Sequence, residues 1–164
     1  MKRDWNNYIK QNSNHKIYHS DCQLVTAVNA YHYLTGKIIN QDSKEYRELA
    51  ELGLCKHGSC ICIEKVWNEL GIEEDKRFKS YDLEKYLKKN CFMEVSIWHK
   101  FFGFHSVSIV DYIKKANCVR ITNFKHVTTS LPGGWIFLED LKPHLRLNPD
   151  NSEPRYEFRT YKIK

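Results

Sequence analysis

Between Asp21 and Gly36 the chain reads DCQLVTAVNAYHYLTG, and this stretch limits the possible folds more than any other. Leu24, Val25, Ala27, Val28, Tyr31 and Leu34 recur at helical spacing, yet they almost encircle the axis instead of lining one stripe. A helix that is apolar on nearly every side is stable only when protein surrounds it. Asp21 stands where an N-cap belongs, and Gly36 stands where the helix must stop. The rest of the chain therefore has to supply a shell for one buried helix. A length of 164 residues is enough to do this as a single domain spanning 1–164.

The shell is legible in outline. Residues 1–20 are polar and irregular and read as a leading arm. DSKEYRELAELG predicts a second helix, opened by Asp42 or Ser43 and closed by Gly53. GSCICIEKVWNELG predicts a third, with Ser59 as N-cap and Gly71 as stop, and SYDLEKYLKKN a fourth, with lysines in its last turn where they suit the helix dipole. The register then changes. CFMEVSIWH, HSVSIVDYI and CVRITNF are rich in β-branched and aromatic residues and predict strands, the last two joined as a hairpin through KKAN. LPGGWIFL predicts a turn and a strand, EDLKPH a short helix or turn, and RYEFRTYKIK an alternating edge strand. Helices first and antiparallel strands after define an α+β domain, in which the buried helix packs on the sheet.

Composition narrows the class of function. The chain is 41% hydrophobic and 28% charged, as expected of a folded protein and not of a disordered one. The net charge of +6 permits an anionic partner, but lysines are mixed with glutamates and no arginine-rich cluster appears, so a nucleic-acid partner is not expected. No run is long and apolar enough to span a membrane, and MKRDWNNYIKQNSNHK has a basic start without the apolar core of a secretory signal. The expectation is a cytoplasmic protein with reduced thiols and no membrane partner. The oligomeric state is not legible.

Chemistry enters at Cys22. A cysteine in the first turn of a helix meets unpaired N–H groups and the positive end of the dipole, and both favour thiolate over thiol. Taken alone, a cysteine at a helix start is more often a small packing residue. A thiolate nucleophile also needs a basic partner, and the partner needs an orienting group. In HSVSIVDYIKKANCVRITN, His105 begins one strand and Asn123 ends the next, so the hairpin brings the two to its open end. There the Asn123 amide oxygen can accept from one imidazole nitrogen and leave the other to face Cys22.

With DCQLVTAVNAYHYLTGK, GSCICIEKVWNELGI, the His-bearing strand and CVRITNF…GGWIFLEDL in order, the chain resembles the papain-like cysteine peptidases. Within them it is most similar to the compact bacteriocin-processing, double-glycine leader peptidases and their relatives. The resemblance implies a papain-like fold and a cysteine peptidase or amidase without cofactor or metal, acting on a peptide or protein. Cys22 would be the nucleophile, His105 the general base and acid, and Asn123 the orienter. HSVSIV…ITN also resembles the CHAP amidases that cut peptidoglycan. In the leader-peptidase family a glutamine six residues before the cysteine donates to the oxyanion. Here that position holds Lys16, with Gln11 and Asn14 nearby but off register. All three are oxyanion candidates, and the departure keeps open a non-catalytic binding module on the same fold.

CKHGSCIC gathers Cys55, His57, Cys60 and Cys62, residue types that bind zinc. The spacing is not one of the usual two-pair patterns, and core packing at a helix start is the simpler expectation.

Overall fold

A computed structural model describes residues 3–11, 15–53, 62–79, 83–99, 103–123, 129–145 and 157–164. It is an α+β protein of helices and one antiparallel sheet. The chain divides into two compact units, one of Met1–Glu74 with Tyr161–Lys164 and the other of Asp75–Thr160.

The first unit is built on α1 (Cys22–Thr35), α2 (Lys44–Gly53) and α3 (Ile63–Leu70). Leu24, Val25, Ala27, Val28 and Ala30 of α1 are buried, and so are its polar Thr26, Asn29 and His32. Of the polar ones, Asn29 is matched by the arm, Thr26 by the Cys22 carbonyl and His32 Nδ1 by the Lys37 carbonyl. The Asn29 side chain accepts from the Ile9 N–H and donates to the Ile9 carbonyl, both at 2.9 Å. Tyr8, buried, meets the His32 ring edge-on at 5.3 Å, and Arg3 Nε donates to the Tyr33 carbonyl at 3.0 Å. The irregular arm is thus docked along α1 by backbone and side-chain hydrogen bonds. Gly36 ends α1 in the left-handed conformation at φ 83°, its N–H on the His32 carbonyl. The left-handed φ makes this a position for glycine, and a Cβ there would also meet the Arg3 guanidinium, 2.7 Å away, and displace it.

Ser43 is the cap of α2, its Oγ accepting from the Tyr46 N–H at 3.1 Å. The α2 residues Tyr46, Leu49 and Ala50 and the α3 residues Val66, Trp67 and Leu70 form their buried stripes. Gly53 lets α3 come close, since a Cβ on it would sit 2.6 Å from Val66 Cγ2. The third helix starts later than its sequence suggests. Cys62 occupies the N-cap position with φ −132° and ψ 65°, outside the helix, and Ser59 lies outside the described residues.

The strands are β1 (Ile72–Lys79), β2 (Met93–His99), β3 (Gly103–Ile113), β4 (Cys118–Thr122), β5 (Trp135–Phe137) and β6 (Glu157–Ile163). They form a sheet of order β1-β6-β2-β3-β4-β5. The second unit holds β2 to β5, most of β1 and the start of β6, with the short helices α4 (Leu83–Tyr86) and α5 (Leu138–Leu141). Alternation sorts its faces. Met93, Val95 and Ile97 of β2 join Val107 and Ile109 of β3 and Ile121 of β4 in the apolar core. Glu94, Ser106, Ser108 and Thr122, each next to one of these in sequence, are also buried, with Ser106 Oγ donating to Glu94 Oε1 at 2.8 Å. The β3–β4 hairpin turns through Lys114–Ala116 and Asn117, which is left-handed at φ 48°.

Three more elements depart from the sequence reading. β1 was not foreseen, because IEEDKRFK carries too few apolar residues to look like a strand. It lies at the edge of the sheet, where charge on a strand guards against pairing with other chains. β6 was expected at the edge but lies between β1 and β2, with Val95 opposite Phe158. Among the described residues the fourth helix covers Leu83–Tyr86 and falls short of its expected C-terminal end at Asn90, and Ser80 lies outside the described residues. The helix stops at Tyr86, and in the turn that follows, Asn90 takes φ 55° and gives its N–H to Asp111 Oδ1 at 2.8 Å, on the bulged strand β3.

Candidate functional site

The predicted residues fall into the two units: Cys22 and its surroundings in the first, His105 and Asn123 in the second. Cys22 is the first residue of α1 and is half-buried. Its carbonyl accepts from Thr26 Oγ1 at 3.0 Å, and the Asp21 carbonyl accepts the first helical N–H, that of Val25, at 2.9 Å. The thiol is therefore fixed to a buried helix whose second turn is braced by a side chain.

Asp21 occupies the N-cap position, but it does not cap with its side chain. This corrects the expectation that its carboxylate satisfies the helix N–H groups. The physical reason is competition from α2 and the segment before it. Asp21 is fully buried, and its Oδ2 takes hydrogen bonds from the Tyr46 hydroxyl and from Gln41 Nε2, the latter at 2.9 Å. Burial pushes the Asp21 carboxyl above its ordinary range, and the Tyr46 and Gln41 bonds pull it partly back. The other oxygen, Oδ1, is buried without a hydrogen-bond partner. Sequence reasoning missed Tyr46 and Gln41, which lie 25 and 20 residues from Asp21. Tyr46 reads as an ordinary core position of an amphipathic helix, so no local signal marks it.

In the second unit the hairpin does bring His105 and Asn123 together. His105 is 4% exposed and Asn123 is 1% exposed, so their contact is shielded from water. His105 Nε2 donates to Asn123 at 2.6 Å, but to the backbone carbonyl and not to the side-chain amide oxygen. The amide is engaged elsewhere, its Nδ2 donating to the Ser106 carbonyl at 2.9 Å. Asn123 follows the last residue of β4 and adopts φ 61°, a left-handed conformation that asparagine tolerates better than most residues. The turn of the backbone there presents the carbonyl to the ring.

This geometry selects a tautomer. A carbonyl oxygen accepts and never donates, so Nε2 carries a hydrogen. In the neutral ring the lone pair then lies on Nδ1, and Nδ1 is the atom able to take a proton. The Nε2 bond also survives protonation, because Nε2 is a donor in both states. The pair can thus accept and return a proton without reorienting the ring.

The oxyanion candidates separate clearly. Gln11 is half-buried, and its Nε2 donates to the His19 carbonyl, three residues before Cys22. Lys16 is exposed, in a bend where the N–H groups of Ile17 and Tyr18 donate to His15 Nδ1 at 3.1 and 3.0 Å. Asn14 lies outside the described residues. Of the cysteine-histidine cluster only Cys62 is described; Cys55, His57 and Cys60 are not. Among the described residues no three His, Cys, Asp or Glu side chains are grouped to hold a metal ion. Among them also no helix is long and apolar enough to cross a membrane.

Compared with known proteins, the chain is matched by no family model and by no curated protein sequence.

Proposed function

We propose that the protein is a cysteine-nucleophile hydrolase of papain-like type, a peptidase or amidase in which Cys22 attacks and His105, oriented by Asn123, moves the protons. The observation that carries the reading is the buried bond from His105 Nε2 to the Asn123 carbonyl, which leaves Nδ1 as the basic atom. The position of Cys22 at the head of a buried helix supports it, since a thiolate is favoured there. So does the α+β order of a cysteine-bearing helix followed by antiparallel strands.

The reaction written for these residues is acyl transfer. The Cys22 thiol gives its proton to His105 Nδ1, and the sulfur forms a bond to the carbonyl carbon of a peptide or amide. The imidazolium returns the proton to the departing nitrogen as the C–N bond breaks. Water then loses a proton to His105 and attacks the thioester. The C–S bond breaks, and the acid is released with the thiol restored. The oxyanion formed at each attack needs donors. Gln11, anchored close in sequence to Cys22, is the side chain best suited among the candidates, and the exposed Lys16 is the less suited.

The test measures the rate at which iodoacetamide alkylates each cysteine, mapped by mass spectrometry across a pH series. The expected result is that Cys22 reacts faster than Cys62 below neutral pH, and that His105→Ala removes this low-pH reactivity. Equal rates for Cys22 and Cys62, or a His105→Ala profile identical to wild type, overturn the reading. Hydrolysis of a peptide library that disappears in Cys22→Ala then identifies the substrate.

A further inference from the structure

Asp21 is the residue whose carboxylate, by position, should cap α1. Residues of its type at this place usually accept from the N–H of the second or third helical residue. Here no such bond forms: the backbone at Asp21 lies at φ −95° and ψ 28°, and Oδ1, fully buried, is met by no side chain, with only its own backbone N–H and the charge of His15 acting on the carboxylate besides Tyr46 and Gln41. A buried carboxylate oxygen left unpaired is costly, and the helix N–H groups of its own chain are the nearest remedy. Something must hold the group away from them. Tyr46 and Gln41 supply that hold, both on Oδ2. Tyr46 is itself fixed: it is fully buried, its N–H is on Ser43 Oγ, and Tyr18 packs edge-on against its ring at 5.7 Å.

We propose that Tyr46 and Gln41 are positioning residues that keep the Asp21 carboxylate off the first turn of α1, so that its N–H groups serve negative charge on Cys22. This rests on the hydrolase reading above and deepens it. With the carboxylate drawn aside, the helix end favours the thiolate, and later an anionic acyl intermediate. With the carboxylate swung back to cap, the same N–H groups are occupied and a like charge lies closer to the sulfur. Tyr46 and Gln41 touch neither substrate nor sulfur in this role, and they act through Asp21.

The experiment uses the full chain and the same alkylation profile of Cys22 against pH. Tyr46→Phe is expected to slow alkylation below neutral pH by roughly three- to tenfold and to move the profile toward higher pH. Gln41→Leu is expected to do the same more weakly. The decisive variant is Asp21→Ala combined with Tyr46→Phe. It has no carboxylate to swing back, so the reactivity is expected to return toward wild type. A merely structural role for Tyr46 predicts the opposite, a double variant at least as impaired as the single one. Circular dichroism and the Gln41→Leu profile guard against a Tyr46 variant that fails to fold. If wild-type Cys22 is no more reactive than Cys62, the hydrolase reading fails. If wild-type Cys22 is reactive but the Tyr46→Phe and Gln41→Leu profiles match it, or the double variant gives no recovery, this inference alone is overturned.

Discussion

Replacing Asn123 separates two ways of orienting His105. The ring nitrogen Nε2 rests on the Asn123 backbone carbonyl at 2.6 Å, while the side-chain amide donates to the Ser106 carbonyl at 2.9 Å. Asn123→Gly removes the amide and keeps full freedom to hold φ at 61°. Asn123→Ala removes the same amide and adds the left-handed strain. Both variants lose the buried hydrogen bond from Asn123 Nδ2 to the Ser106 carbonyl, at a cost of about 1–3 kcal/mol. Alanine adds about 1–2 kcal/mol for the left-handed backbone. The greater freedom of glycine in the unfolded chain offsets about 0.5–1 kcal/mol of that difference. The alanine variant is therefore expected to be less stable than the glycine variant by roughly 0.5–1 kcal/mol, read from urea midpoints. The sharper readout is the ring. Nitrogen NMR of His105 is expected to show the Nε2-protonated tautomer in wild type and in Asn123→Gly, because the carbonyl stays in place. In Asn123→Ala, relaxation of the strained backbone turns the carbonyl away and mixes the tautomers. Were the side chain the orienter, both variants would lose the tautomer equally. A glycine variant with mixed tautomers refutes the assignment to the backbone.

Three further outcomes follow from burial and packing. Burial pushes the Cys91 thiol up to about 11, so native protein is expected to leave Cys91 unalkylated at mildly alkaline pH and to release it only in denaturant; native labelling would mean that the core around Met93 opens. Asp21 titrates higher folded than unfolded, so its contribution to stability is complete below the ordinary carboxylate range and is lost as pH rises through the folded value. Wild-type stability relative to Asp21→Asn, measured by urea midpoints, is thus expected to fall with rising pH from that range upward, and a flat difference contradicts the burial argument. Phe158 is fully buried and stacks on Phe78 at 5.6 Å, so Phe158→Ala is expected to cost about 3–5 kcal/mol by denaturant titration, with Phe158→Leu far milder.

The fold was legible where local chemistry and tertiary role agree. VTAVNA in α1 is buried as its all-round apolar pattern requires, and the β3–β4 hairpin is written in two β-branched runs and a KKAN turn. Legibility failed where the partner decides. RYEFRTYKIK looks like an edge because its polar residues alternate, yet β6 has a neighbour on each side. IEEDKRFK does not look like a strand because only Ile72 and Phe78 in it are apolar, yet β1 needs only one neighbour. LEKYLKKN has helical spacing throughout, yet the helix stops at Tyr86, and Asn90 beyond it bonds to Asp111, a residue 21 positions away that no local window contains. Pattern reports which face a segment offers, and the count of neighbours is a property of the whole sheet.

The candidate site divides in the same way, at the level of atoms. Residue type and position single out Asp21 and Asn123, and in both the acting atom differs from the one the residue type suggests. Asparagine was expected to orient His105 through its amide. Its tolerance of a left-handed backbone turns out to be the useful property, because that conformation aims a carbonyl at the ring. Aspartate was expected to cap α1. Its carboxylate is instead claimed by two donors that only the tertiary fold supplies, one of them from the buried stripe of α2. A side chain near a helix end or a hairpin end has several hydrogen-bond choices of similar energy, each worth about 1 kcal/mol net, and burial decides among them. Sequence therefore locates these residues well and assigns their atoms poorly. For a proposed cysteine hydrolase the consequence is specific. Swapping Asn123 for another side chain with an amide oxygen need not preserve His105, whereas glycine, with no side chain at all, should.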